Sequence, residues 1–386
     1  MSDQSNRKQS IVTRVAQALH FVEAETGAVV PAIQPAATYA RDENYEVRKP
    51  YWYRRDGSQT TVHAEAIIAE LENGAESLLF SSGMSACTAV IEHLPTGAHV
   101  VVPKVMYHGV LQQIQNYEKN KRITVSHYTA GNLGELASAV RAGETQLVWV
   151  ETPNNPNWEV TDIAAAAEIA HEVGAKLIAD CTATPPSMTR ALELGADISF
   201  HSATKYLNGH SDITAGVLSV KETGQFWDDI AMVRKLQGTV LHSQDAWLLI
   251  RGMRTLFLRV ERSCKNAMAI AMHFEGHPHI EAVLYPGLAS DLGHEVAKRQ
   301  TGGQFGGMMS IIIKGTEQTA IDVTRFCELF YPATSLGGVE SLVEHRKTVS
   351  GEGFPVHPRL LRLSIGIEEA DDLIYDLEQA LARACG

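Results

Sequence analysis

The chain has 386 residues, of which 45% are hydrophobic and 20% charged, and its formal net charge is −12. That length exceeds what a single hydrophobic core usually supports, so two domains are expected, and the composition excludes a disordered chain. Net acidity without a basic run argues against a nucleic-acid partner, and no uninterrupted apolar run is long enough to cross a bilayer.

In chain order, the polar start MSDQSNRKQS does not read as a secretory signal. Ile11–Leu19 is expected to be a helix, and Arg41–Pro50 is charged and weakly patterned. Residues 1–50 therefore read as an arm lying against another surface, such as a neighbouring subunit, or as a loose tail. The aromatic and arginine pairs of Tyr51-Trp52-Tyr53-Arg54-Arg55 suit a cation–π patch or a phosphate contact. Val62–Leu71 has helical periodicity and stops at Asn73-Gly74. Ser77–Phe80 reads as a strand entering Ser81-Ser82-Gly83-Met84-Ser85-Ala86, which opens a helix. A strand, a small-residue turn and a helix start form either an anion site or a plain tight turn.

Strands and helices then alternate. Strands are expected at His99–Val102, Ile123–His127, Gln146–Val150, Lys176–Ala179, Ile198–Phe200 and Gly216–Val220. Helices are expected within Val105–Tyr117 and over Leu133–Arg141, Ile163–Val173 and Met188–Leu194. This rhythm of apolar strands implies a mostly parallel sheet covered on both faces, with its ligand at the carboxyl ends of the strands. Ala246–Phe274 reads as one long helix or two in line. Strands at Ile280–Tyr285, Met309–Ile313 and Leu360–Ile365 and helices at Thr319–Phe330 and Asp371–Arg383 suggest a smaller α+β domain. The glycines of Thr301–Gly307 precede a strand rather than joining a strand to a helix, so they make no dinucleotide fingerprint.

The five cysteines (Cys87, Cys181, Cys264, Cys327 and Cys385) are scattered, with no C-x-x-C pair. That pattern fits a reduced, cytoplasmic setting. Sixteen histidines show no metal-ligand spacing, so no metal is expected.

One stretch carries chemistry. Ile198–Phe200 runs into His201-Ser202-Ala203-Thr204-Lys205, which places two hydroxyls ahead of one amine at a strand end. Such an amine can form a Schiff base with an aldehyde while the hydroxyls hold a phosphate, a pairing that pyridoxal 5′-phosphate (PLP) satisfies. A solvated loop lysine is the alternative for Lys205 alone. Gly83, Asn155, Asp180 and Lys205 all lie at or just past expected strand ends, which favours the first reading.

The segments Ser82–Ala86, Glu151–Pro156, Asp180-Cys181-Thr182, His201–Asp212, Ser335–Leu342 and Leu361–Glu368 resemble the PLP enzymes of cysteine and methionine metabolism. The likeness is greatest to the cystathionine γ-synthase and γ-lyase group, and it runs in order over nearly the whole chain. It implies an α/β large domain of the aspartate-aminotransferase-like fold (fold type I), here 51–255. It also implies an N-terminal arm, 1–50, on a neighbouring subunit, a small C-terminal domain, 256–386, and a homotetramer built from dimers that share active sites.

The resemblance further implies that Lys205 holds PLP and moves protons, that Asp180 faces the pyridine nitrogen and that Tyr107 stacks on the ring. Gly83, Met84, Thr182, Ser202 and Thr204 would line the cofactor, with Tyr53 and Arg55 reaching its phosphate from the neighbouring subunit. Arg362 would clamp the substrate α-carboxylate, Asn155 and Ser335 would assist, and Glu340 would meet the far amino group of a long substrate.

Three places depart from the family pattern. Ser58-Gln59-Thr60 stands for Asn-Pro-Thr. Cys181-Thr182-Ala183 stands for Asn-Thr-Phe after the aspartate. Gly109 stands where methionine γ-lyases carry cysteine. The expected reaction is γ-replacement on an O-acylated homoserine by a thiol such as cysteine. The alternatives are a γ- or β-lyase, a sulfhydrylase, replacement by a carbon nucleophile, and a catalytically silent PLP-binding protein.

Overall fold

The structure, a computed structural model, describes residues 9–48, 51–351 and 354–386. Parts of the expected arm, at 1–8 and 49–50, thus lie outside the described residues. The first half comprises α1 (Ile11–Ala16), α2 (Gln59–Glu72), β1 (Glu76–Phe80), α3 (Gly83–Glu92), β2 (Ala98–Pro103), α4 (His108–Lys119), β3 (Ile123–Tyr128), α5 (Leu133–Ala139) and β4 (Thr145–Glu151). Next come α6 (Ile163–Glu172), β5 (Lys176–Asp180), β6 (Ile198–His201), β7 (Gly216–Val220), α7 (Gln225–Gln237), α8 (Ser243–Met253) and α9 (Leu256–Phe274). The remainder is β8 (Ile280–Leu284), α10 (His294–Thr301), β9 (Met308–Ile313), α11 (Glu317–Phe326), β10 (Tyr331–Pro332), β11 (Leu342–His345), α12 (Arg346–Ser350), β12 (Leu360–Ser364) and α13 (Ala370–Cys385).

The large sheet has seven strands in the order β1-β7-β6-β5-β4-β2-β3, with β7 antiparallel to both neighbours and the other pairings parallel. Its apolar runs are explained by burial on both faces. Val100 and Val102 join one core layer with Trp149 and Ile178, whereas Val101 joins the opposite layer with Val150 and Ala179. The second sheet, β10-β11-β12-β9-β8, packs Ile311, Leu361 and Leu363 with Leu373 and Leu377 of α13.

Several expectations change in detail, each for a local reason. Helix α2 starts three residues before Val62 because Ser58 caps it. The Ser58 hydroxyl accepts from Thr61 N at 3.2 Å and Thr61 Oγ1 accepts from Ser58 N at 2.9 Å, a reciprocal capping box. The Ser58-Gln59-Thr60 departure is therefore a sound helix start.

Met188–Leu194 is not a helix. After Pro185-Pro186 the backbone makes only tight turns, with Glu193 N on Arg190 O and Leu194 N on Ala191 O. Helix α1 ends at Ala16 because Ala18, Leu19 and His20 turn left-handed.

The long helix after 243 is two, broken at Arg254-Thr255. There Arg259 reaches back to Gly252 O at 2.8 Å and across to Tyr206 O at 2.9 Å, tying the break to the lysine loop. Gly209 completes that joint. It sits at φ +74, and a Cβ there would lie 1.9 Å from Arg259 Nη1.

Candidate active site

Strand geometry concentrates chemistry at one edge of the large sheet. The carboxyl ends of β1, β4, β5 and β6 open on a single cavity of about 430 Å³. Its lining includes Gly83, Met84, Tyr107, Asn155, Asp180, Thr182, Ser202, Thr204, Lys205, Ser335 and Arg362. Eleven sequence-predicted residues are thus brought together from seven separate stretches of chain.

One end of the cavity suits an anion. Ser82 caps α3, its hydroxyl accepting from Ser85 N at 3.1 Å, and Gly83 is the first helical residue. A Cβ on Gly83 would sit 3.1 Å from Ser202 Oγ, so the glycine keeps this cradle open. Free N–H groups at a helix start attract a phosphate. Thr182 sets the cradle's other wall by donating N–H to Asp180 Oδ1 at 2.9 Å and accepting Ser202 N at 2.9 Å. The Thr204 hydroxyl is engaged with Ala215, accepting its N–H at 2.9 Å and donating to its carbonyl at 3.2 Å.

Asp180 and Glu151 are paired across β5 and β4, both buried. Burial raises both carboxyls above their ordinary range, and repulsion from Asp180 adds to the effect on Glu151. Glu151 fixes two neighbours, accepting Tyr107 N at 2.6 Å and Asn155 N at 2.9 Å. Behind Asp180 lies a buried pair, His201 Nε2 to Glu72 Oε1 at 2.5 Å, with Ser199 donating to the same oxygen at 2.8 Å. The hydroxyl and N–H of Thr182 counteract the rise at Asp180, with a smaller contribution from His201. Burial also raises the Tyr107 hydroxyl.

The Lys205 amine donates to Ser335 Oγ at 2.8 Å. Its pKa is brought down to about 8, chiefly by burial, with the Arg362 cation adding and Glu344 opposing. Ser335, at φ +108, also accepts Arg362 Nη2 on its main-chain oxygen at 2.9 Å. Arg362 stands opposite Glu344 across the β12–β11 ladder and pairs with its Oε2 at 2.9 Å.

Three expected site residues lie elsewhere in this chain. Tyr53 and Arg55 sit on the surface, the guanidinium 5.1 Å over the Tyr53 ring and bonded to Lys235 O at 3.4 Å. Glu340 accepts the Ser211 hydroxyl and does not line the cavity. Conversely, sequence reasoning passed over His108, Arg346 and Glu344. The first two line the cavity, and Glu344 is the carboxylate both arginines share. For Glu344 and Arg346 the available signal was the polar run Glu344-His345-Arg346 closing the unrecognised strand β11, and for His108 it was its place next to Tyr107.

The donor set fits PLP: an anion cradle, a buried carboxylate for a ring nitrogen, an amine of lowered basicity, and an unpartnered buried Asn155 Oδ1 in the cavity wall. Comparison with known proteins agrees. The family model described as "Cys/Met metabolism PLP-dependent enzyme" matches residues 13–382. A cystathionine beta-lyase of Coxiella burnetii is 39% identical, covering 99% of this chain and 100% of its own length. A cystathionine gamma-synthase of Mycobacterium bovis is 38% identical over the same shares. The crystal structure of cystathionine gamma synthase from Xanthomonas oryzae pv. oryzae in complex with aminoacrylate and cysteine superposes with TM-score 0.93. It is 33% identical and covers 98% of this chain and 99% of its own. The chain belongs to the PLP-dependent enzymes of cysteine and methionine metabolism.

Proposed function

We propose that this enzyme performs γ-replacement on an O-acylated homoserine, exchanging the acyloxy group for a thiol such as that of cysteine. The observation that carries the reading is the single cavity in which the Lys205 amine and the Arg362 guanidinium are joined through Ser335. The amine that must move protons and the cation suited to a substrate carboxylate are thereby set at a fixed relation. The γ-synthase names among the relatives point the same way.

Bound here, PLP supplies an electron sink for charge developing on the substrate carbons. The chain's residues do the rest. Arg362, steadied by Glu344 and Ser335, takes the α-carboxylate through its fork of N–H donors. Lys205 Nζ, partly neutral near neutral pH, takes a proton from Cα and, having passed it on, another from Cβ, and a proton is returned to each carbon as replacement is completed. The Cγ–O bond breaks with its electrons leaving on the acyl carboxylate. The thiolate sulfur then bonds to Cγ, its proton passing to base or solvent. Tyr107, in the cavity wall, would cover the ring, and its raised hydroxyl would act as a hydrogen-bond donor. Gly83, Met84 and Ser202 would hold the phosphate, and Asp180 would hold the ring nitrogen, whose positive charge would keep the carboxylate ionised.

We also assign 51–255 to a cofactor domain and 256–386 to a substrate-side domain, with the boundary just before α9. The exposed Trp52 and Tyr53, with Val29, Val30 and Ile33 of the arm, support burial against a second subunit, where Tyr53 and Arg55 would reach a neighbour's phosphate.

A lyase is the second reading, favoured by the β-lyase and γ-lyase names of other relatives. The test is product analysis. Holoenzyme given O-succinyl- or O-acetylhomoserine with cysteine is expected to release cystathionine. No cystathionine, alongside cleavage of added cystathionine to a 2-oxo acid, would overturn the replacement reading.

A further inference from the structure

Near the Arg362 end of the cavity, among the described residues, two buried arginines pair with a single carboxylate. Arg346, the first residue of α12, is 2% exposed and lines the cavity. Its Nη1 pairs with Glu344 Oε2 at 3.0 Å, the same oxygen that Arg362 Nη2 takes at 2.9 Å. The two guanidinium nitrogens therefore lie no further apart than those two distances together. One carboxylate serves two buried cations. Arg362 already neutralises Glu344 across the strand ladder, so a second arginine is not needed to balance it. Among the described residues both arginines also keep an Nε, and Glu344 its Oε1, without a hydrogen-bond partner.

The neighbouring imidazole supplies no counter-charge, and the Glu151 carboxyl, which feels the Arg346 charge, is held well above its ordinary range chiefly by burial and by Asp180 and bonds Tyr107 N and Asn155 N rather than Arg346. Arg346 Nη2 meets His108 Nδ1 at 3.1 Å. A guanidinium only donates, so Nδ1 accepts and the ring proton sits on Nε2. Burial, and next the Arg346 charge, lower the His108 pKa, which keeps the ring neutral. Arg362 itself is brought down to about 10 by burial, with the Arg346 charge contributing. The phosphate cradle is built from other elements and uses N–H and hydroxyl groups, so it does not account for the surplus cation.

We infer that Arg346 is a specificity-determining residue: with neutral His108 beside it, it makes the site select substrates bearing a second carboxylate besides the one on the α-carbon. This deepens the replacement reading and, for its kinetic arms, rests on it. The second carboxylate has two sources of the same chemistry, the acyl chain of the donor or the incoming amino-acid thiol.

Two kinetic arms on holoenzyme separate these sources. One compares O-succinyl- with O-acetylhomoserine at fixed sulfide. The other compares cysteine with cysteamine at fixed O-acetylhomoserine. In at least one arm the carboxylate-bearing member is expected to be favoured by about tenfold or more in kcat/KM. Arg346→Gln is expected to collapse that ratio through KM, while Arg346→Lys retains part of it. No preference in either arm, or a preference unchanged in Arg346→Gln, overturns the inference.

A binding measurement needs neither a variant nor turnover. Holoenzyme is titrated by absorbance with L-2-aminoadipate and with L-norleucine, which have the same chain length. The diacid is expected to bind about tenfold more tightly; equal binding overturns the inference. If neither donor gives product, the replacement reading fails while this titration still decides the role of Arg346, and it decides where the two measurements disagree.

Discussion

The lowered basicity of Lys205 can be measured before any cofactor is present. Its amine is expected to titrate at about 8 rather than at the ordinary 10.5. At pH ~7.5 that leaves roughly one amine in four neutral, against about one in a thousand for an ordinary lysine, a gain of about 250-fold in nucleophile. Desolvation is the main cause and the Arg362 charge the second, so the two are separable. The assay is trace acetylation of enzyme stripped of PLP, across a pH series, with peptide-resolved mass spectrometry and exposed lysines of the same digest as reference. The Lys205 peptide should half-label near pH ~8. In Arg362→Met its midpoint should rise yet stay well short of the ordinary lysine value, because burial remains. Half-labelling at pH ~10 or above in the parent enzyme would show that the amine is hydrated in the empty cleft and would refute the burial argument.

Two further outcomes follow from buried charge. Glu151 and Asp180 have folded-state pKa values raised above their unfolded values, so their stabilising contribution is complete below the ordinary carboxylate range and is lost as pH rises through the raised values. Urea midpoints of the cofactor-free enzyme should fall between about pH 5 and about pH 8.5, and Glu151→Gln should flatten that slope; an unaltered slope would clear Glu151 of the effect. Glu72 is fully buried and accepts from both His201 and Ser199. Glu72→Leu strands both donors and is expected to cost about 3–5 kcal/mol in urea unfolding, with Glu72→Gln milder because its amide oxygen still accepts. A loss below about 1 kcal/mol for the leucine variant would mean that water or repacking replaces the pair.

The large sheet was legible in the sequence because its strands are buried on both faces and so read as apolar runs, as with Val100-Val101-Val102 and Leu147–Val150. Chemistry at their ends was legible for the same reason: Asp180 and Lys205 are isolated polar residues following such runs. Periodicity failed where turn chemistry or pairing overrode it. Met188–Leu194 has helical spacing, but Pro185-Pro186 ahead and Gly195 behind leave room only for turns. Helix α7 went unseen because its face is mixed, with Arg234 buried against Glu65 at 2.7 Å. Glu344-His345-Arg346 was the costliest omission. Three charged or titratable residues in a row read as surface, yet they are 4%, 7% and 2% exposed because each finds a polar partner: Arg362, Pro358 O and Glu344. A pattern of polarity cannot report burial when polar groups satisfy one another across strands.

That omission bears on what the site can select. The groups proposed for the ring and the phosphate come from α3, β5 and the loop after β6, all on the large sheet. Those proposed for substrate carboxylates come from β11, α12 and β12, on the second sheet. Ser335 is the link between the two: its hydroxyl receives the Lys205 amine and its carbonyl receives Arg362, on a backbone held at φ +108, a conformation uncommon for a residue other than glycine. Changes on β11 and α12 can therefore alter which substrate is held without touching the residues that hold the cofactor. Relatives 36–39% identical to this chain that carry both synthase and lyase names are what such an arrangement permits. If Arg346 selects the substrate as proposed, exchanges at Glu344 and Arg346 are expected to shift substrate preference, whereas exchanges around Lys205 are expected to lower the rate with every substrate.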